Sequence, residues 1–167
     1  IAVFNLRFAW ALAPAMGTLF AIAAALAMYE WRRSAKRQSD WGVQFPAIHP
    51  LQIPAAMIFA GIFVVISVVS TAIRDMFGQT GVLTLAALIG VTDIDPFVIN
   101  IAQGGVTGLS ISTLCATILI AAASNNIAKG VYALGFGGEF SRRPALTLFI
   151  LAILSFAAAA VYVLPWA

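Results

Sequence analysis

Long apolar runs, separated by short polar or charged segments, cover most of this chain. Each run approaches the roughly 20 residues with which a helix crosses a bilayer. The runs predict helices at about 8–31, 51–73, 76–103, 107–136 and 144–164. The pattern is typical of an all-α integral membrane protein with about five transmembrane segments, of which one or two are broken or re-entrant.

The third run contains a polar interruption, Thr92-Asp93-Ile94-Asp95-Pro96. Because Pro96 disfavours helical geometry in the preceding residue, we expect the helix to break here. Asp95 directly before Pro96 has the pattern of a helix N-cap, which gives Asp95 a structural role and leaves Asp93 unexplained. A carboxylate in mid-bilayer costs about 2.5–3.5 kcal/mol, so both carboxylates must face protein, water or a cation rather than lipid.

The predicted break brings together hard oxygen ligands. These are the carboxylates of Asp93 and Asp95, the Thr92 hydroxyl and the backbone carbonyls that a broken helix leaves free. Transporters bind ions at such breaks near the membrane midplane. Oxygen ligands suit Mg²⁺, Ca²⁺ or Na⁺ better than zinc. The sequence therefore predicts a cation site with Asp93 and Asp95 as metal ligands, and a divalent cation is the candidate cofactor.

A second polar group interrupts the fourth run and consists of Ser124, Asn125, Asn126 and Lys129. Asn125 and Lys129 are four residues apart and share one helix face. If the third and fourth segments pack together, Lys129 is the natural counter-ion of Asp93. That ion pair is either purely structural, or Lys129 alternates with a bound cation. Asn100, one turn before Gln103, is a further candidate for the lining of the same cavity.

Basic residues bear on whether residues 76–103 cross the membrane or form a re-entrant hairpin. A cluster typical of a cytoplasmic loop follows the first run: Arg32, Arg33, Lys36 and Arg37. A crossing would place Arg142 and Arg143 opposite that cluster, four basic residues against four. A hairpin would place them beside it, six against Arg7 and Arg74. The positive-inside rule mildly favours the hairpin, and both topologies stay open. Nothing in the cluster requires nucleic acid.

Composition excludes a water-soluble globule. Apolar residues make up 62% of the chain and charged residues 9%, against about 45–50% and 25% in soluble domains. The lone cysteine, Cys115, excludes an internal disulfide, and no Ser-His-Asp, HExxH, CxxC or phosphate-loop pattern supports an enzyme. Because no basic segment precedes Ile1, we expect a single membrane domain, residues 1–167, that belongs to a longer protein.

Two stretches resemble the motifs of a bacterial membrane family, domain-of-unknown-function family 4010. They are Gly-Val-Leu-Thr-Leu-Ala-Ala-Leu-Ile-Gly-Val-Thr-Asp-Ile-Asp (81–95) and Ile-Leu-Ile-Ala-Ala-Ala-Ser-Asn-Asn-Ile-Ala-Lys (118–129). The resemblance covers roughly residues 45–155, and it departs at Pro96, where the family more often has alanine. It implies the C-terminal membrane half of MgtC/SapB-type proteins, which are linked to magnesium stress.

These observations favour an oligomeric channel or transporter for a cation, with Mg²⁺ among the candidates. The alternative is a membrane module that transports nothing and docks or regulates a partner membrane protein. The expected partners are the lipid bilayer, further copies of the chain, and an N-terminal membrane half or partner membrane protein. The expected location is the bacterial inner membrane, crossed several times.

Overall fold

The computed structural model describes residues 6–34, 53–136 and 141–164. Its helices are α1 (Leu6–Ser34), α2 (Ile53–Ile89), α3 (Asp95–Ala102), α4 (Ile111–Phe136) and α5 (Arg142–Val163). No strand occurs in these ranges, which confirms the all-α fold class. Four of the helices, α1, α2, α4 and α5, are long and apolar enough to cross a membrane. The chain is a multi-pass membrane protein.

The helix bounds lie close to those expected from the apolar runs. The ends of α1, α4 and α5 fall within four residues of the predicted ends. The third predicted segment differs most at its start, because α2 continues past residue 76 and leaves helical geometry only at Gly78. Its part after the break is α3, about 12 Å long, which ends within one residue of the predicted end. Lys36 and Arg37 of the predicted basic loop, and the first two residues of the predicted 51–73 helix, lie outside the described residues.

Helices α1, α4 and α5 pack side by side, and α4 is the most buried of them. The position that a Cβ would take on Gly130 of α4 lies 3.0 Å from the ring of Phe149 in α5, so the two helices approach closely there. Near the far end of α5, the Tyr162 hydroxyl donates a hydrogen bond to the carbonyl oxygen of Ala11 in α1 (2.6 Å). The start of α5 meets the end of α1, because Arg143 lies 4.0 Å from Glu30. Helices α1 and α5 therefore run antiparallel.

Helix α2 folds back on itself at Gly78. Gly78 has φ +60° and ψ −142°, a conformation that residues with a Cβ rarely adopt. A Cβ on Gly81 would lie 2.8 Å from Ile73 Cγ2 and 3.1 Å from the Ile73 carbonyl oxygen. In a straight helix, residues eight apart are separated by about 12 Å along the axis. Residues 53–77 and 79–89 are therefore two arms joined by a sharp turn.

Residues 79–102 form a helical hairpin that packs beside α4. We call residues 90–94, between α2 and α3, its apex, and residues 70–78 with 103–108 its base. At the base, Thr71 donates to the Gly105 carbonyl (3.2 Å) and Arg74 donates to the Thr107 carbonyl (2.8 Å). The apex reaches the middle of α4, as described below. The structure thus has the hairpin form of residues 76–103 rather than a single broken crossing.

Apolar side chains from both arms of the hairpin fill the space beside α4. The buried core includes Val82, Phe97 and Leu119, together with Phe8 and Leu12 of α1. The small hydroxyls of α4 expected along one face are mostly bonded within the helix. Thr117 donates to the Thr113 carbonyl (2.8 Å), as expected when small polar residues serve close helix packing.

Candidate functional site

The apex is stabilised by the side chain of Asp93. Its Oδ1 accepts a hydrogen bond from the backbone N–H of Asp95 (3.1 Å), at the first residue of α3. Pro96 occupies the next position, where its missing N–H is not required. The expectation that Asp95 is the N-cap was wrong, because the N-cap position is Ile94, whose side chain makes no capping hydrogen bond, and Asp95 is already the first residue of α3. The carboxylates of both residues also lie at the positive end of the α3 dipole.

The carbonyls at the end of α2 are hydrogen-bonded rather than free. The Ile89 carbonyl accepts from both the backbone N–H and the hydroxyl of Thr92 (2.9 Å each). The Ala87 carbonyl accepts from the hydroxyl of Ser124 in α4 (2.5 Å). The carbonyls of Ala87 and Ile89 are therefore not free ligands, whereas the carbonyls of residues 90–93 accept no hydrogen bond from a described residue and stay candidate ligands beside the carboxylates and the Thr92 hydroxyl.

The apex lies directly against the polar segment of α4. A Cβ on Gly90 would overlap the Ala121 carbonyl oxygen and lie 2.6 Å from Ser124 Cβ and 3.1 Å from the Asn125 backbone nitrogen. Only glycine allows this approach. Since Ser124 lies near the middle of the membrane-length α4, the apex lies near the middle of the membrane if α4 crosses it. The acidic motif (81–95) and the polar motif of α4 (118–129) are therefore in contact, so the third and fourth apolar runs do pack together.

Lys129 is not the counter-ion of Asp93. Both side chains are exposed, and the ion pairs among the described residues are Arg74–Asp75 and Arg143–Glu30. The structural salt bridge expected between Asp93 and Lys129 is wrong. Asn125 is buried and Asn126 half-buried, so the face shared by Asn125 and Lys129 runs from the protein interior to its surface.

Thr92, Asp93 and Asp95 are all exposed at the apex. In the described ranges, no group of three or more His, Cys, Asp or Glu side chains lies together. A cation at the apex would therefore rely on two carboxylates from this chain and complete its shell with hydroxyls, water or groups from another molecule. Such an arrangement is chemically suited to a weakly held, partly hydrated ion.

Asn100 lies at the other end of the hairpin. It is 1% exposed and packs against Gly105, whose backbone N–H bonds to the Asn100 carbonyl (2.9 Å). A Cβ on Gly105 would overlap Asn100 Oδ1. The expectation that Asn100 and Gln103 line one cavity is not met, because Gln103 is exposed while Asn100 is buried. Asn100 therefore does not share the apex with Asp93.

The base contains a polar cluster that the sequence interpretation missed. Among the described residues, the buried side-chain atoms without a hydrogen-bond partner are Ser70 Oγ, Arg74 Nε and Asn100 Nδ2. Arg74 also bonds to Asp75 (2.6 Å). Two sequence signals pointed here: Ser70-Thr71 precedes Arg74 within an apolar run, and the glycines Gly104, Gly105 and Gly108 follow α3. Gly104 and Gly108 adopt φ near +80°.

A family model described as Domain of unknown function (DUF4010) matches residues 1–137, which include the hairpin and the polar segment of α4. The chain belongs to this family. An uncharacterized protein of Aquifex aeolicus (strain VF5) is 29% identical over 121 residues, 72% of this chain and 52% of the relative. The DUF4010 chain thus spans about half the length of that relative. No solved structure matches it.

The DUF4010 match extends to residue 1, well before the range 45–155 expected from the two motifs, and it ends before α5. Neither the family description nor the relative's name states an activity. The function of the DUF4010 chain must therefore be argued from the apex and the base of the hairpin.

Proposed function

We propose that this chain is a subunit of an oligomeric channel or transporter for a cation, in which the hairpin apex lines the ion path. The observation that carries the proposal is the position of Asp93 and Asp95. Their carboxylates are exposed, yet they lie within five residues of Gly90, which packs against the middle of α4.

Lipid is an unfavourable neighbour for these two carboxylates. Each ionised carboxylate facing hydrocarbon costs about 2.5–3.5 kcal/mol, and no basic side chain in the described part of the chain pairs with either one. Water, a cation or another protein surface must therefore cover the apex. A second copy of the chain supplies such a surface and two further carboxylates, which supports an oligomer.

The base of the hairpin is a second polar site in the same part of the protein. Ser70 and Asn100 are almost fully buried there, and each keeps a polar atom without a partner among the described residues. A buried polar atom without a hydrogen-bond partner costs about 1–3 kcal/mol, so Ser70 and Asn100 favour contact with water or a polar ligand.

The ligand chemistry selects a hard cation. Carboxylates and a hydroxyl suit Mg²⁺, Ca²⁺ or Na⁺. We favour Mg²⁺ because the motifs resemble the membrane half of MgtC/SapB-type proteins, and on the same ground we place the chain in the bacterial inner membrane. Asp93 is the main ligand, assisted by Asp95, Thr92 and Asn125.

Cation flux into proteoliposomes tests this function. Asp93→Asn should abolish flux, because it removes the charge while its amide oxygen still accepts the Asp95 N–H. Glu30→Gln is the matched control, because it removes an acidic charge far from the apex, beside Arg143. It should leave flux within about twofold, since a surface ion pair contributes little. Flux that survives Asp93→Asn unchanged would exclude the apex as the ion path.

A docking module is the second candidate. It is favoured by the half coverage of the Aquifex relative, whose remaining half would be the partner. It is also favoured by exposed apolar side chains of α1 and of the first part of α2, such as Trp10, Phe20, Met57 and Val68. In a docking module, an Asp93–Lys129 pair would hold the two segments together, and no such pair occurs among the described residues. Absence of flux for Mg²⁺, Ca²⁺, Na⁺, K⁺ and H⁺ in vesicles with verified incorporation would support docking instead.

A further inference from the structure

Basic side chains are unevenly divided between the two ends of the helix bundle. Arg32 and Arg33 lie in the last turn of α1, and Arg142 and Arg143 begin α5. The Arg143–Glu30 contact (4.0 Å) places these four at the same end of the bundle. We call Arg32, Arg33, Arg142 and Arg143 the basic end.

The opposite end has little free positive charge. Arg7 lies at the start of α1, near the Ala11–Tyr162 contact. Arg74 lies at the hairpin base, where its guanidinium is 2.6 Å from the Asp75 carboxylate, so Arg7 and Arg74 stand against the four arginines of the basic end. The remaining basic residues add to the basic end rather than to the opposite one. Lys129 lies in the last third of α4, on the side of the basic end. In the sequence, Lys36 and Arg37 follow α1 within three residues of Ser34.

Aromatic side chains indicate that the basic end lies at the membrane–water interface. Trp31 is 73% exposed beside Arg32, and the neighbouring Arg33 donates to the Tyr29 hydroxyl (3.3 Å). Exposed tryptophan and tyrosine next to arginine are typical of the headgroup layer, where an aromatic ring meets lipid and a charge meets phosphate.

We propose that the basic end is the cytoplasmic face of the protein and contacts the phosphates of anionic lipids, so that the hairpin opens toward the opposite side of the membrane. Anionic lipids of the cytoplasmic leaflet attract arginine near the surface, and a surplus of basic residues in short flanking segments retains that end in the cytoplasm. Both helices of the hairpin, residues 79–89 and α3, lie between its apex and the end of the bundle opposite the basic end.

This orientation gives the ion path a direction of entry. The base, with Ser70, Arg74 and Asn100, faces the non-cytoplasmic side, and a cation from that side meets the base before the apex. The statement about entry rests on the proposed function. The orientation itself does not, because the labelling below is read without any flux measurement.

Cysteine labelling in intact cells tests the orientation. Cys115 is fully buried, and Cys115→Ala gives a cysteine-free background. Gln103→Cys reports the hairpin side and Phe136→Cys, at an 89% exposed position at the end of α4, reports the basic end. A membrane-impermeant maleimide should label Gln103→Cys at least tenfold more than Phe136→Cys, and both equally after permeabilisation. The reverse pattern, or equal labelling in intact cells, overturns the proposal.

Charge substitutions test whether the arginines set the orientation. Changing all four arginines of the basic end to glutamine should make Phe136→Cys accessible from outside in at least a tenth of the molecules. Changing all four to lysine keeps the charge but alters guanidinium contacts such as Arg143–Glu30, and should retain a single orientation. If the glutamine variant keeps one orientation, or the lysine variant loses it, contact with anionic lipid is not what orients the chain.

Discussion

At the scale of single residues, Asp93 combines two roles that one substitution can separate. Its Oδ1 bonds to the backbone N–H of Asp95 at the start of α3, and its charge is the one on which the proposed cation site depends. Asparagine keeps an acceptor oxygen without the charge, whereas alanine removes both. Asp95, with an exposed carboxylate that makes no hydrogen bond to a described residue, offers the comparison.

Stability measurements should separate the hydrogen bond from the charge. Asp93→Ala should lower the free energy of unfolding in detergent by about 1 kcal/mol, the net value of a typical hydrogen bond such as the one from the Asp95 N–H. Asp93→Asn should retain most of that stability, and Asp95→Ala should cost less than Asp93→Ala. Denaturant titrations followed by helical circular dichroism give all three values. Equal losses at positions 93 and 95 would contradict this role of the Asp93 hydrogen bond.

At the scale of elements, the hairpin is held to α4 by contact at Gly90. The Ser124 hydroxyl bonds to the Ala87 carbonyl, and the two backbones approach so closely that a Cβ at position 90 would overlap the Ala121 carbonyl. By contrast, a Cβ on Gly61, which lies in α2 before its turn at Gly78, would have no atom within 4 Å.

Alanine at these two glycines should have opposite effects. Gly90→Ala must push the apex away from α4, so we expect about 1–3 kcal/mol of destabilisation, the range for overpacking a tight site. Gly61→Ala should be neutral or stabilising by up to about 1 kcal/mol, because alanine favours helix. Thermal unfolding of both variants in the same detergent provides the comparison. A Gly90→Ala variant as stable as Gly61→Ala would show that the apex does not contact α4 this closely.

The elements were largely predictable from sequence, whereas their contacts were not. The apolar runs and the Asp95-Pro96 pair placed the helices and the break, because both depend on local properties. The hairpin was one of two alternatives, since the turn at Gly78 depends on a backbone conformation that composition does not reveal. The sites of Asn100 and Lys129 were mistaken because helical spacing fixes a face but not what packs against it.

At the scale of the whole molecule, α1 is joined to the bundle by few polar contacts. Only a small share of α1 is buried, and it meets α5 through the Tyr162–Ala11 hydrogen bond at one end and the Arg143–Glu30 pair at the other. Phe8 and Leu12 of α1 also belong to the buried core.

Removing the Tyr162 hydroxyl should weaken this junction. Tyr162→Phe should lower stability by about 0.5–1.5 kcal/mol, the net value of a typical hydrogen bond, and should increase proteolytic cleavage near α1. Tyr132→Phe is the control, since Tyr132 is exposed and has no hydrogen bond to a described residue. Melting temperature and limited proteolysis report the difference. Identical behaviour of the two variants would show that the bond does not hold α1 in place.

The Ser124–Ala87 bond joins residues 37 positions apart, which has a consequence for biosynthesis. Ribosomes add about 5–20 residues per second, so the hairpin leaves the ribosome seconds before the α4 surface that receives its apex. Until Ser124 emerges, the two carboxylates have no partner helix and are expelled from lipid. We therefore expect residues 79–102 to wait at the membrane surface or inside the insertion machinery, and to enter the bilayer only together with α4.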